Sequence, residues 1–84
     1  MLPEKWYIRW RTQEHFEASI NYFKNLPGLS HLKDYRNTGD MRAIAHTGKY
    51  CNYDYLEGYT EITLEQFLSE VVNKSPINNL YEIY

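Results

Sequence analysis

The sequence predicts an α+β domain, in which a small antiparallel sheet is covered on one face by two helices. Segment 5–11 alternates apolar and polar residues with period two, as a half-buried strand does. Two other segments carry apolar residues at helical spacing, and short strand-like segments separated by turn residues lie between them. The 84 residues suffice for one domain, 1–84, with the predicted order β-α-β-β-β-α.

The first strand is predicted over 5–11. Its alternation places Trp6, Ile8 and Trp10 on one face. The other face carries the polar and basic side chains Lys5, Tyr7, Arg9 and Arg11. A strand of this kind buries its apolar face against helices and leaves the other face toward solvent or a partner.

The first helix is expected to begin after Thr12, a residue type that caps helix N-termini. Phe16, Ile20 and Phe23 then form one apolar stripe at positions i, i+4 and i+7. Segment 26–40 is predicted as a loop because it is rich in turn-forming residues.

A β meander is predicted in the middle of the chain. We expect strands over 41–46 and 49–55, joined by a tight turn at 47–48. A further turn at 57–58 leads into a short strand over 59–62. Both connections are short, which favours antiparallel neighbours.

The second helix has the clearest local signal. Thr63 and Gln66 form a capping box, and Ile62 and Phe67 are spaced as a hydrophobic staple. The core-facing stripe consists of Leu64, Phe67, Leu68, Val71 and Val72. Segment 80–84 alternates again, which suits a C-terminal edge strand on the chain's own sheet or on a partner's.

Composition and charge limit the classes of function. The net charge is −2, and the bases concentrate in 1–50 whereas 51–84 holds only Lys74 among its bases. This distribution argues against binding of extended duplex nucleic acid, which needs many phosphate contacts. The single cysteine, Cys51, cannot form an internal disulfide and suits a reducing compartment.

Size and hydropathy make two further predictions. No apolar run approaches the roughly 18 residues that span a bilayer, and the first residues lack a signal-peptide pattern. We therefore expect a cytoplasmic protein without a membrane partner. A chain this small has no disulfide or metal staple, so self-association into a homo-oligomer is the expected extra source of stability.

The candidate binding residues are tyrosines interleaved with basic side chains. They are Tyr7, Arg9, Arg11, Arg36, Arg42, His46, Tyr50, Tyr53 and Tyr55. The arginine guanidinium group forms bidentate hydrogen bonds with phosphate, and tyrosine stacks on bases. The same residue types are also enriched at the hot spots of protein interfaces. The structural alternative is a solvated strand face with tyrosines packed across strands. In a regular strand Tyr50 would face one way, and Tyr53 and Tyr55 the other.

No catalytic residue, metal site or cofactor is predicted. The three histidines, His15, His31 and His46, lack the spacing of metal ligands, and the glycines form no phosphate loop. We expect Cys51 to be buried and inert. A weaker alternative is a small nuclease or phosphodiesterase that uses His46 as a general base.

Two motifs stand near the ends of the chain, L-P-x-K-W at 2–6 and G-Y-x-E-I-T-x-E-Q-F at 58–67. In both of them the chain resembles the small uncharacterised proteins common in phage genomes. These motifs mark a strand start and a capping box, so the resemblance transfers no functional residue. It implies a context of host takeover or anti-defence activity.

The residues and this resemblance together predict a phage-type, non-enzymatic binding protein in the cytoplasm of the host cell. In the first hypothesis it sequesters a small anionic, nucleotide-derived signalling ligand of host defence. The alternative is a protein–protein inhibitor that blocks a host enzyme or defence complex through the same tyrosines.

Overall fold

The computed structural model describes residues 2–36, 39 and 41–74. Within them the α+β class and the order β-α-β-β-β-α are confirmed. The elements are β1 (Trp6–Arg9), α1 (Gln13–Phe23), a 3₁₀ turn (Ser30–Asp34), β2 (Arg42–Ala45), β3 (Tyr50–Asn52), a second 3₁₀ turn (Tyr53–Tyr55), β4 (Thr60–Glu61) and α2 (Leu64–Gln66), which continues as a π-helix over Phe67–Val72.

The four strands form a mixed sheet in the order β3-β2-β1-β4. β1 pairs with β2, and β2 with β3, in antiparallel register, but β4 runs parallel to β1. The prediction of an antiparallel sheet is therefore wrong at β4. The chain does not fold back beside β3; instead the segment after β3 crosses to the far edge, where the Thr60 N–H donates to the Lys5 carbonyl at 2.9 Å.

The third predicted strand, 49–55, ends early. After Asn52 the backbone turns into the second 3₁₀ turn, and the Leu56 N–H donates to the Tyr53 carbonyl at 2.9 Å. This turn brings Leu56 onto the small side chains of Ala43 and Ala45, where only 4% of it stays exposed. Burial of a leucine on two alanines is the physical reason that the strand stops.

The predicted loop 26–40 contains more order than its composition indicates. Its 3₁₀ turn, Ser30–Asp34, carries Leu32, which is fully buried in the main core. Leu29 and Tyr35, on either side of this turn, pack against the same core. The segment predicted as a loop therefore contributes three side chains, Leu29, Leu32 and Tyr35, to the main core.

The main core lies between the sheet and both helices, as expected. The Trp6 ring centroid lies 6.2 Å from that of Phe23 and 6.0 Å from that of Phe67, so one strand residue touches both helices. The remaining buried members include Ile8, Trp10, Phe16, Ile20, Ile44, Ile62 and Val71. Both helices thus cover the same face of the sheet.

Both predicted helix caps are present. The Thr12 hydroxyl accepts the His15 N–H at 3.3 Å. Thr63 and Gln66 form the reciprocal capping box, each bond at 3.0 Å. The proposed edge strand at 80–84 lies outside the described residues. Among the helices described, none is both long and apolar enough to cross a membrane.

Candidate binding site

The candidate site lies on the sheet face that the helices leave uncovered. Alternation along β1 turns Tyr7 and Arg9 toward this face because their neighbours Trp6 and Ile8 enter the core. A second, smaller buried cluster, Ala43, Ala45 and Leu56, closes part of the face. Half-buried aromatic and thiol side chains surround this cluster: Tyr7, Cys51, Tyr53 and Tyr59.

One end of this face is built around Tyr53. The guanidinium carbon of Arg9 lies 4.1 Å from the centroid of the Tyr53 ring, which is a close cation–π contact. The Tyr53 N–H donates to the Met41 carbonyl at 2.9 Å, so the first residue of the 3₁₀ turn lies beside the start of β2. Met41 is 44% exposed and Tyr55 is 74% exposed. We call Arg9, Met41, Tyr53 and Tyr55 the Tyr53 surface.

Beside this surface, Arg11 is held by Glu61. The Arg11 Nε and Nη2 atoms donate to the two carboxylate oxygens of Glu61 at 2.7 and 3.0 Å. The hydrogen bond from Arg11 lowers the pKa of the Glu61 carboxyl despite its partial burial. The geometry is bidentate, so Glu61 occupies a guanidinium fork that an anionic ligand would otherwise use.

Tyr7 lies between these two features. Burial raises the pKa of the Tyr7 hydroxyl, and the negative charge of Glu61 adds to this effect, whereas Arg9 and Arg11 oppose it. The phenol therefore stays protonated at neutral pH and is a hydrogen-bond donor on this face.

His46 lies at the opposite end of β2 from the Tyr53 surface. Its ring centroid is 6.0 Å from that of Trp6 and 5.6 Å from that of Tyr59. Its Nδ1 atom is buried and has no hydrogen-bond partner among the described residues. Lys5 lies over the Tyr59 ring, with its Nζ 5.8 Å from the ring centroid. The histidine is thus part of an aromatic stack.

Two of the predicted site residues, Tyr50 and Arg42, lie away from the uncovered face. Tyr50 pairs with Ile44, and its ring packs on Tyr35 at 4.4 Å on the helix-covered side. Arg42 shares that side by alternation along β2, and exposed Arg36 directly follows Tyr35. Of the nine candidates, the structure brings together Tyr7, Arg9, Arg11 and Tyr53, and Tyr55 lies in the same 3₁₀ turn as Tyr53.

Sequence reasoning missed Glu61 and Met41. The local sequence does not distinguish Glu61 from the other acids, and only the parallel pairing of β4 with β1 places it beside Arg11. Met41 carried no signal beyond its position at the start of a strand. Cys51, expected to be buried, is half-buried on the uncovered face as a free thiol.

These features define the class of the protein: a small α+β domain with a tyrosine–arginine surface on one face of its sheet. Within the described part of the chain, no group of three or more His, Cys, Asp or Glu residues is placed to hold a metal ion. Comparison with protein-family models, curated proteins and solved structures finds no match to this chain.

Proposed function

We propose that this chain is a non-enzymatic, cytoplasmic binding protein that engages another protein through the Tyr53 surface. The observation that carries the proposal is the contact of Arg9 with the Tyr53 ring, next to exposed Met41 and Tyr55. Tyrosine, arginine and methionine are enriched in protein interfaces, and Tyr and Arg dominate their hot spots.

The distribution of cations favours a protein partner over a phosphate-rich ligand. When arginines recognise phosphate groups, their guanidinium groups converge on one point. Here Arg11 already binds Glu61 in bidentate geometry, and alternation along β2 turns Arg42 to the sheet face opposite Arg9. A protein partner needs instead an exposed aromatic and aliphatic area, which Tyr55 and Met41 supply.

The resemblance to small phage proteins suggests the kind of partner. In that context the partner would be a host enzyme or a defence complex, and the chain would act by covering a functional surface of it. Such inhibition needs no turnover, which agrees with the aromatic surroundings of His46.

The first test is a pull-down from host lysate, washed with nuclease and nucleotide, followed by calorimetry with the purified partner. We expect one stoichiometric protein that the variant Tyr55→Ala loses, with affinity lowered at least tenfold. Leu68→Ala is the control, since Leu68, expected to face the core, is 39% exposed, and it belongs to the second helix, away from the Tyr53 surface. Equal binding by both variants would rule out the Tyr53 surface.

A second candidate function is the sequestration of a small anionic, nucleotide-derived ligand of host defence. The Arg9–Tyr53 stack supports it, because a flat base can continue the stack while Arg9 contacts a phosphate. The test is a thermal-shift screen against cyclic di- and trinucleotides and ADP-ribose, with recovery of the ligand. A rise of several degrees with intact ligand supports sequestration, altered ligand indicates an enzyme, and a flat screen leaves the protein partner.

A further inference from the structure

Within residues 2–36, 39 and 41–74, β3 is an edge strand of the sheet, and only β2 pairs with it. The Ala45 N–H donates to the Lys49 carbonyl at 2.8 Å, and the Tyr53 N–H donates to the Met41 carbonyl at 2.9 Å. Bonded and non-bonded pairs alternate along an antiparallel ladder, so residues 49, 51 and 53 bond to β2. The N–H and C=O of Tyr50 and the N–H of Asn52 therefore point away from the sheet.

The geometry points to a homodimer in which β3 of one copy pairs in antiparallel register with β3 of a second copy. In the register whose two-fold axis passes through Cys51, the outward N–H and C=O groups of the two β3 strands face each other. The Asn52 N–H of each copy then donates to the Tyr50 carbonyl of the other. Cys51 lies opposite its own counterpart as a non-hydrogen-bonded pair, with Cα atoms about 4.5 Å apart.

Charge complementarity favours a second copy as the occupant of this edge. In the two-fold register, Lys49 of one copy lies opposite position 53 of the other and therefore next to Asp54. Both side chains are exposed in the single chain. The symmetry repeats this arrangement, so two oppositely charged pairs flank the central strands, and no like charges lie directly opposite each other within 49–53.

The dimer extends the uncovered face across the two-fold axis. Cys51 and Tyr53 pack on that face in each copy, so a continuous sheet presents two Tyr53 surfaces on the same side. The inference rests on the backbone geometry of β3 and does not depend on the function proposed above.

The edge offers a selective variant, Asn52→Pro. Asn52 has φ −63°, which is the angle that proline requires, and its N–H points outward, so the substitution removes no bond to β2. It removes the Asn52 donor of each copy from the dimer interface, while the Tyr50 N–H remains. Asn52→Ala keeps the donor and is the matched control.

The first measurement is the molar mass by light scattering over a wide range of protein concentration. The second is the rate of disulfide cross-linking with copper–phenanthroline in air. Dioxygen accepts two electrons and two protons from two thiols, and Cys51 is the only thiol in the chain. We expect wild type and Asn52→Ala to be dimers that form a Cys51–Cys51 disulfide within minutes. Asn52→Pro, with an unchanged circular dichroism spectrum, should be monomeric and cross-link at least tenfold more slowly.

Two results would overturn the inference. One is a wild-type protein that is monomeric at all concentrations. Protection of the Tyr50 and Asn52 amides from hydrogen exchange in that monomer would mean that another part of the same chain covers the edge. The other is a folded Asn52→Pro variant that dimerises and cross-links like wild type, which would place the interface elsewhere.

Discussion

Trp10 donates its indole N–H to the hydroxyl of Ser19 at 2.9 Å, inside the core. Ser19 is fully buried, and its hydroxyl donates in turn to the Phe16 carbonyl at 3.0 Å. The Trp10 ring also meets that of Phe16 edge to face, with centroids 4.8 Å apart. One serine thus satisfies the polar atom of a buried tryptophan and fixes α1 against the end of β1.

We predict that Ser19→Ala lowers the free energy of unfolding by about 1–3 kcal/mol, because it leaves the buried indole N–H of Trp10 without an acceptor. Urea denaturation followed by tryptophan fluorescence measures the change. Ser69→Ala, at an exposed position of the second helix, is the control and should change stability by less than about 0.5 kcal/mol. Equal stability of the two variants would mean that the Trp10–Ser19 bond contributes nothing.

Gly48 and Gly58 form a matched pair that separates backbone strain from packing. Both have positive φ, +90° and +89°, which an alanine adopts at a cost of about 1–2 kcal/mol. A Cβ at position 48 would lie 2.6 Å from Leu29 Cδ1, whereas a Cβ at position 58 meets nothing within 4 Å. We therefore expect Gly48→Ala to be more destabilising than Gly58→Ala, by up to about 1 kcal/mol, because Leu29, which packs against the main core, must shift.

Thermal and urea unfolding of both glycine variants measure this difference. Leu29→Ala in the Gly48→Ala background should reduce the extra loss, because it removes the side chain that the new methyl group meets. Additive effects of the two substitutions would contradict the predicted crowding.

The capping box of the second helix should contribute measurably to stability. Thr63→Ala removes the acceptor of the Gln66 N–H and should lower the free energy of unfolding by about 1 kcal/mol. Thr63→Ser keeps a hydroxyl at the same position and should retain most of that stability. If the serine and alanine variants unfold alike in urea, the cap does not act through its hydrogen bond.

The Arg11–Glu61 pair predicts a pH-dependent difference between wild type and Glu61→Gln. Folding lowers the pKa of the Glu61 carboxyl. The pair therefore stabilises the folded state fully above the unfolded pKa of about 4.3, and this stabilisation disappears as the pH falls through the folded pKa. The side chain of Arg11 is 51% exposed, so we expect a difference of only about 0.2–1 kcal/mol at neutral pH.

Urea denaturation from neutral pH down to acid pH, at low and high salt, tests this prediction. The stability gap should close at acid pH and shrink with salt. Glu57→Gln, an exposed acid in the turn before β4, is the control and should show no such gap. A gap for Glu61→Gln that persists below the folded pKa would show that charge is not its origin.

Local patterns in the sequence determined the fold class, the two helix caps and the division of β1 into two faces. The alternation of Trp6, Tyr7 and Ile8 is enough to assign a core face and a tyrosine–arginine face, because side chains in a strand alternate whatever the strand pairs with. The capping box is likewise local, since its two partners are three residues apart.

Only the tertiary structure decided where β3 ends, how β4 pairs and which residues share the uncovered face. Leu56 is buried on Ala43 and Ala45, and this contact between distant segments turns the chain at Tyr53 and sends it across the sheet. The parallel pairing of β4 that follows joins Arg11 to Glu61 across 50 positions of sequence. The spacing of apolar residues within one segment does not predict such a contact. The contact depends on which segments, far apart in the sequence, bury the most apolar area when they pack together.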